Sequence, residues 1–590
     1  MADTTTFNNS TGGPFELEGR EETLVRATND IPASIRPILT AAQVDRLRPF
    51  GVEDQADTEA VIIREGQRPV DFLVVLSGRL EARHSNADGT FTSLADHGAG
   101  GILGEIATMS GQASLVFVSA LEPSRFIRIT PDNLRRVLVE DSEISDIILS
   151  TFMARRERMR ERNLTAIQLF GSSLDNNTHR VREFLTRNNI PHAYTDVQKC
   201  EDTAEFITGA CRIPIAEMPL LKLRSGELLR NPSAQDIARK FGLDHINEGE
   251  LWDLVVVGAG PAGLASAVYA ASEGLKVTVI DGTAPGGQAS TSSKIENYLG
   301  FPTGITGRDL ADRAAAQAQK FGVQIATPVG AKSLDCSQEA YVITTSDDRQ
   351  IMTRSLVVAS GAMYRKLPVA DLMAYEGQGI FYAATGMEAQ LCEGAEVTLV
   401  GGGNSAGQAA VFLASVAKHV HIHVRKPDLT SSMSAYLIRR IEEAPNITVH
   451  GNSAIVGLHG KDRSSSEDPD RQGSSRRLEG IDIHYADRNE TEYRACRHLF
   501  TFIGAEACTD WLSGCVALDD RGFVKTGGDV TPMEMVRSTW ALDRVPTLYE
   551  TSRPRIYAVG DVRSGSVKRV ASAVGEGSVV IQFVHRALAE

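Results

Sequence analysis

Apolar runs of three to seven residues, separated by glycine, proline and polar pairs, divide this chain into stretches of different rhythm. Between Ala60 and Arg83, Val61-Ile62-Ile63, Glu65-Gly66, an apolar run over 72–76 and Ser77-Gly78-Arg79 alternate strand with turn, which predicts a small antiparallel β-roll. Residues 131–162 carry Leu134, Val137, Leu138, Ile144, Ile147 and Ile148 at helical spacing and predict one or two helices. That stretch ends in Arg155, Arg156, Arg158, Arg160 and Arg162, interleaved with Glu157 and Glu161, the pattern of a solvated linker helix. From Leu164 the rhythm turns to β/α: a strand over 165–170, a helix over 178–188 bearing Val181, Phe184 and Leu185, a strand over 192–197, Met218-Pro219, an apolar run over 220–223 and a helix over 234–241.

Two later stretches place chemistry on the same rhythm. Residues 254–257 read as a buried parallel strand, followed by Gly258, Gly260 and Gly263 at G-x-G-x-x-G spacing, with Pro261 and Ala262 between, then a helix over 264–272 and a second strand over 277–280 ending at Asp281. One glycine makes the turn, the next admits a pyrophosphate to backbone N–H groups, and the third lets helix pack on strand; Asp281 is placed to accept from a ribose hydroxyl. The unit repeats as a strand over 396–400, then Gly401, Gly403 and Ala406 with Asn404 and Ser405 between, then a helix from Ala409 and a strand over 420–424. Residues 460–477, rich in Ser, Asp, Arg and Gly without apolar period, read as a disordered insert in this second unit.

The expected architecture is therefore multidomain α/β: a lead-in over 1–33, loosely held; a β-roll with helices over 34–163; an α/β unit over 164–248; and two Rossmann-like dinucleotide-binding units. The first of these is split into 249–367 and 497–590, and the second occupies 368–496. A length of 590 residues fits about three to five domains of roughly 100–200 residues. Composition narrows the function classes. A net charge of −14 disfavours a general nucleic-acid binder, and no apolar run is long enough to span a bilayer. The polar start lacks the parts of a signal peptide, so a cytoplasmic location is expected. Seven cysteines without C-x-x-C spacing or a metal-ligand cluster read as reduced thiols, and no metal is expected.

Family resemblance adds cofactors. Residues 251–590 resemble low-molecular-weight thioredoxin reductases: 258–263 match the FAD fingerprint, Gly286-Gly287-Gln288 the loop along the flavin, and 296–302, with Asn297, the following flavin-side segment. Ser360-Gly361 falls in the family's A-T-G-A and Gly560-Asp561 in its ribityl-binding G-D, with Lys568, Arg569 and Val570 where many members have Arg-Gln-Ala. The resemblance implies FAD there, and NADPH at 401–406, where His423, Arg425 and Lys426 replace the H-R-R that takes the 2′-phosphate. NADH is the lesser expectation. It also implies a homodimer and a rotation of one nucleotide unit against the other, about crossover strands over 364–367 and 497–500.

In that family a C-x-x-C precedes the NADPH fingerprint. Ala383 and Gly386 occupy its cysteine positions, and neither can supply a thiolate, so no catalytic residue is assigned. The expectation is an NAD(P)H-dependent FAD oxidoreductase passing electrons to another acceptor, such as a ferredoxin- or flavodoxin-like protein, a quinone or oxygen. The alternatives are disulfide reduction through another pair, with Cys508 and Cys515 the candidates, and a sensor or scaffold with little turnover. The roll resembles cyclic-nucleotide-binding domains of the catabolite-activator type. Gly104 and Glu105 stand at the ligand turn, Glu105 where the family's Glu takes the ribose, but Ser114 falls where the family's phosphate-binding Arg stands. The unit from Leu164 resembles a thioredoxin or glutaredoxin domain whose C-x-x-C position is taken by residues 172–177, Ser-Ser-Leu-Asp-Asn-Asn.

Overall fold

The computed structural model describes residues 35–85, 91–161, 167–172, 175–197, 217–223, 226–462 and 476–590. The expected lead-in over 1–33, together with Cys200 and Cys211, lies outside them. Among the described residues no helix is long and apolar enough to cross a membrane.

Two four-stranded antiparallel sheets form the roll. One orders Val52–Ala56, Ser124–Ile129, Phe72–Ser77 and Ile102–Leu103; the other orders Val61–Ile63, Phe117–Ala120, Leu80–Ser85 and Phe91–His97. The run Phe72-Leu73-Val74-Val75 is apolar throughout because both its faces are covered. Leu73 and Val75 point into the space between sheets, whereas Phe72 and Val74 point to the helices behind, the period-2 consequence of a pleated strand. The predicted helical stretch is two helices, Pro131–Glu140 and Ser142–Glu161. The break falls at Asp141, whose side chain accepts from Ile144 N–H at 3.1 Å and so starts the second helix.

In the middle unit the strand order is Ala193–Asp196, Gln168–Gly171, Leu220–Lys222, Leu228–Arg230, the first pair parallel and the others antiparallel. Helices Asn176–Arg187 and Ala234–Phe241 pack Val181, Phe184, Leu185 and Ile237 on it. The Met218–Pro219 peptide is cis.

The first nucleotide unit is a sheet ordered Gln324–Ala326, Val277–Ile280, Leu251–Val257, Gln350–Val358, Tyr341–Thr345, Ala331–Asp335, with Ile556–Ala558 also pairing Gln350–Val358. Helices Pro261–Ser272 and Val570–Ala589 cover one face. The second unit is a five-stranded parallel sheet, Ile380–Phe381, Leu499–Thr501, Glu396–Val400, His419–His423, Ile447–His450.

Two boundaries move. Leu499–Thr501 is an interior strand of the second unit, so the chain returns to the first unit after it and not at Arg497; the crossover pair is Ala362–Tyr364 with Ala505–Ala507. Leu499, Phe500 and Thr501 are buried on both faces, as a central parallel strand requires. The insert over 460–477 is in part strand: 460–462 and 476–477 extend a hairpin of Ser453–Asp462 and Arg476–Tyr485, which Glu490–Ala495 completes, while 463–475 lie outside the described residues.

The N-terminal units dock on the first nucleotide unit. Ala316, on helix Gly307–Lys320, belongs to the apolar core of the roll, and Ala113 N–H donates to Phe241 O at 3.1 Å between roll and middle unit.

Candidate active site

The first glycine turn is held by contacts that leave no room for a side chain. At Gly258, with φ of 108°, a Cβ would lie 2.2 Å from Ala359 O, and at Gly263 it would lie 1.8 Å from Gly258 O. Gly260 caps helix Pro261–Ser272, and Gly287, φ 55°, brings the 286–288 loop against Gly260. Gly286 N–H donates to Ala259 O at 2.7 Å, so loop and turn form one cradle; Ala262 lies beneath Gly560 from the far end of the chain. Gln288 and Asn297 are exposed at its edge.

Asp281 ends its strand as expected but serves the cradle itself. Its Oδ2 accepts from Ala259 N–H at 2.8 Å, and its Oδ1 from Thr283 N–H, Thr283 Oγ1–H and Ala284 N–H at 2.8, 3.0 and 3.1 Å. Three of the four donors crowd Oδ1 and one takes Oδ2, so Oδ2 keeps one acceptor position for a ribose hydroxyl.

At the C-terminal side Gly560 N–H donates to Glu576 Oε2 at 2.7 Å, and Glu576 is ion-paired with Arg563 at 2.6 Å. These two residues escaped the sequence reading, which had no signal for an acid one helix away from the G-D pair. Burial pushes the Asp561 carboxyl up and the Lys568 ammonium down, and Lys568 donates to Asp561 O. Arg569 caps helix Val570–Ala589, whose N-terminus therefore opens at this cradle. Ser360 Oγ–H donates to Cys508 O at 2.7 Å and Cys508 N–H to Gly361 O at 3.2 Å, fixing the adjoining turn.

The second cradle repeats the first. Gly401 has φ of 142° and its Cβ would lie 2.6 Å from Phe502 O; Gly403 caps helix Asn404–Ala414; Ala406, fully buried, serves where the first turn has glycine. Asn404 Oδ1 accepts from Ser434 N–H at 2.7 Å and Ser432 Oγ–H donates to Gly402 O at 2.8 Å, so the 428–434 loop lies over the turn. Arg425 and Lys426 are exposed beside it, with Lys426 Nζ donating to Ser431 Oγ at 3.0 Å. His423 departs from expectation. It is fully buried, hydrogen-bonded to Ser453 at 3.0 Å and stacked on His450, so it cannot reach a phosphate at the surface.

Tyr364, on the crossover, connects the cradles. Burial pushes its phenol up, with Ser405 of the second opposing and Asp561 of the first adding, and its ring packs edge-on against Phe502 beside the second turn, centroids 5.3 Å apart.

Ala383 and Gly386 sit in the turn leading into helix Gly386–Leu391, where Thr385 N–H and hydroxyl both donate to Glu388 Oε2, the amide at 2.8 Å. Ala383 is half-buried; Gly386 is exposed, with open space where a Cβ would project. The five cysteines among the described residues are free thiols. Cys392 is fully buried in the second unit and burial pushes it up to about 12. The alternative's candidate pairing of Cys508 with Cys515 is not formed: Cys508 packs against the Gly361 turn, and Cys515 lies beside Cys336.

The ligand turn of the roll is also internally satisfied. Glu105, 2% exposed, is ion-paired at 2.7 Å with Arg155, which donates further to Ile35 O and Ile102 O at 2.8 and 3.1 Å. Arg155 is thus a clamp and not a solvated linker residue, and Glu105 is not open to a ribose. Ser114 Oγ–H donates to Val116 O at 2.8 Å, and Gly104 takes φ of 88° at the head of the short helix Glu105–Ser110.

Known protein families match two regions of this chain. The pyridine nucleotide-disulphide oxidoreductase family matches residues 252–577, and the cyclic nucleotide-binding domain matches 54–141. An Arabidopsis thaliana NADPH-dependent thioredoxin reductase 3 is 29% identical over 380 residues, 62% of this chain and 62% of its own. The chain thus spans less than two thirds of that plant relative. A Mycoplasmopsis pulmonis thioredoxin reductase is 27% identical over 340 residues, 57% of this chain and 96% of its own. The solved structure of T. acidophilum thioredoxin reductase is similar over 58% of this chain and 99% of that one, at 27% identity and a TM-score of 0.49. With two glycine cradles, their joining tyrosine and a family match over more than half its length, the chain belongs to the pyridine nucleotide-disulphide oxidoreductases, as a thioredoxin-reductase-like FAD-dependent enzyme carrying an N-terminal cyclic nucleotide-binding domain.

Proposed function

We propose that the protein takes electrons from NADPH onto FAD and delivers them to an acceptor without a C-x-x-C relay. The observation that carries this reading is the pairing of two complete nucleotide cradles through Tyr364 with Ala383 and Gly386 at the relay positions. Bound at these cradles, the nicotinamide and the flavin supply hydride transfer. The protein's own part is to hold and to tune. The 258–263 turn, the 286–287 loop and the N-terminus of helix Val570–Ala589 present backbone N–H groups to a pyrophosphate and to the flavin. Gly401 and Gly403 do the same for the dinucleotide, and Arg425 and Lys426 offer two exposed cations for a 2′-phosphate. His423 is not part of that set.

The acceptor class that fits best is one that meets the flavin directly: a ferredoxin- or flavodoxin-like protein, a quinone or dioxygen. A homodimer is part of the reading, to be checked by sedimentation. Anaerobic titration of the yellow protein with NADPH tests the first half-reaction, with bleaching expected; a flavin that stays oxidised removes the proposal. Turnover with ferricyanide, quinones, oxygen, ferredoxin, flavodoxin and thioredoxin then separates the readings. Thioredoxin reduction as the fastest reaction would return the protein to disulfide chemistry. Bleaching without turnover on any acceptor would favour the sensor alternative.

A further inference from the structure

The strand Ala331–Asp335 ends at Cys336, and the turn Asp510–Leu512 runs on to Cys515. Far apart in sequence, the two lie together on the side of the first nucleotide sheet packed by Leu334, Ile343, Trp511 and Leu512. Cys515 is buried and Cys336 half-buried, so the pair has one inner and one outer sulfur. Cys515 Sγ–H donates to Leu334 O at 3.1 Å, two residues before Cys336 on its strand, and each thiol shifts the proton affinity of the other. One guanidinium fixes both backbones: Arg553 Nη1–H donates to Cys336 O at 3.1 Å and Nε–H to Cys515 O at 3.2 Å. Two thiols beside one another on anchored backbones bond once side-chain rotation brings the sulfurs within about 2 Å.

The electrostatics divide the labour. The neighbouring Cys336 thiol and the Arg553 cation hold the Cys515 thiol below its ordinary range, whereas the Cys515 sulfur, together with burial, pushes Cys336 up. The two thiols are therefore unequal, as an attacking and a resolving cysteine must be.

We propose that Cys336 and Cys515 are a dithiol site, separate from the flavin, that a hydroperoxide oxidises to a reversible disulfide. The Cys515 sulfur attacks the terminal peroxide oxygen; the O–O bond breaks, its electron pair leaves with the distal oxygen as alcohol or water, and Cys515 becomes a sulfenic acid. The Cys336 sulfur then attacks Cys515, the S–O bond breaks, and the departing hydroxide takes the Cys336 proton as water. Two thiols and one hydroperoxide give one disulfide, one alcohol and one water; an added dithiol restores both thiols.

The experiment uses the full chain with flavin bound. Reduced protein is treated with stoichiometric hydrogen peroxide, alkylated, and mapped by mass spectrometry without reductant. The expected result is a Cys336–Cys515 cross-linked peptide, reversed by dithiothreitol. In Cys336→Ser, dimedone should label Cys515, because the sulfenic acid has lost its resolving thiol. Arg553→Met should slow disulfide formation by about tenfold, since the cation that favours the thiolate is gone. The proposal is overturned if Cys336 and Cys515 both remain alkylatable after peroxide, or if either appears only in cross-links to another cysteine. Because the first readout is made on the unsubstituted protein, it stands even where a variant fails to fold.

Discussion

Gln378 Nε2–H donates to Asn176 Oδ1 at 2.8 Å, joining the second nucleotide unit to the middle unit at the place where a thioredoxin would carry its C-x-x-C. Asn176 Nδ2–H returns a bond to Glu376 O at 3.0 Å, and Gly377, at φ 71°, leaves room for it. Asn176 begins the helix that ends at Arg187, and the other end of that helix is bonded to the first nucleotide unit. Arg187 donates to Gly287 O at 3.2 Å, Asn188 to Thr283 O at 3.2 Å and Asn189 to Asp312 at 2.6 Å. A bar of about 18 Å thus spans both units.

The rotation that the family resemblance implies would have to break the Asn176 contacts. Asn176→Ala removes two hydrogen bonds worth about 1–2 kcal/mol together. Faster amide exchange over 376–380 is expected, with flavin reduction by NADPH accelerated up to about tenfold. An unchanged rate would mean that this contact does not oppose the motion.

The Glu105–Arg155 pair makes the roll a poor receptor. Titration with cyclic AMP or cyclic GMP should give no heat in calorimetry, because the carboxylate is committed and Ser114 supplies no cation. Arg155→Ala leaves a buried carboxylate unpaired, at a cost of about 3–5 kcal/mol, and thermal unfolding should move down accordingly. Saturable binding of either nucleotide by the unaltered protein would contradict this.

What could be read from the chain, and what could not, divides along local and distant interactions. The strand Glu396–Val400 and the helix Ala234–Phe241 were readable to the residue, since apolar runs between glycine, serine and acidic signals fix them locally. Gly258, Gly263 and Gly401 were readable because a side chain there would collide with backbone, whereas Gly260 and Gly403 have room for a Cβ and follow from the motif spacing alone. Asp281 and Glu105 stand where the motifs place them, yet each is turned inward by partners, Ala259 and Arg155, that spacing does not reveal. His419, His421 and His423 alternate along one strand, a period-2 signal that they share a face, but what covers that face comes from His450 and Arg494 on other strands. Leu499–Thr501 reads as a boundary because a strand buried on both sides has no polar alternation to show which sheet owns it.

The histidine face gives a pH dependence. His421 and His450 are 3.2 Å apart, His423 stacks on His450, and Arg494 lies 3.4 Å from His423. Burial first, then the neighbouring histidines and Arg494, holds His423 down to about 3 and His421 to about 4, against an opposing pull on His421 from Glu396. Both are neutral in the native protein and take protons on unfolding below about 6.5, so stability is complete above that pH and is lost as pH falls toward 4 and 3. By pH 5 the His423 contribution is about 2 kcal/mol, with less from His421 nearer the surface. Protection factors in His419–His423 and Ile447–His450, taken after dividing out the intrinsic slowing of amide exchange with falling pH, should drop between pH 7 and pH 5, and His423→Gln should flatten the dependence. A flat profile in the unaltered protein would show that these rings are not held neutral.

Selectivity for the 2′-phosphate should rest on Arg425 and Lys426. Both are exposed beside the second glycine turn, and Ser431 steadies the Lys426 ammonium. Arg425→Ala with Lys426→Ala should raise KM for NADPH at least about tenfold, roughly 1.4 kcal/mol, and leave KM for NADH nearly unchanged. An equal effect on both coenzymes would place the two cations elsewhere than at the phosphate.

The relay positions permit a gain-of-function test. A side chain at Gly386 would project into open space, Ala383 is half-buried, and the intervening Thr385 is pinned by Glu388, so two cysteines can be accommodated without repacking. A C-x-x-C there would restore the nucleophile and the resolving thiol that disulfide exchange needs. Ala383→Cys with Gly386→Cys should therefore gain NADPH-dependent reduction of an aromatic disulfide well above the parent, and each single substitution should not, because one thiol forms a mixed disulfide that nothing resolves. Flavin bleaching by NADPH should be the same in all four proteins. If the double variant bleaches normally and reduces no disulfide, then the path from flavin to residues 383–386 has been lost along with the cysteines, and the acceptor must meet the flavin by another face.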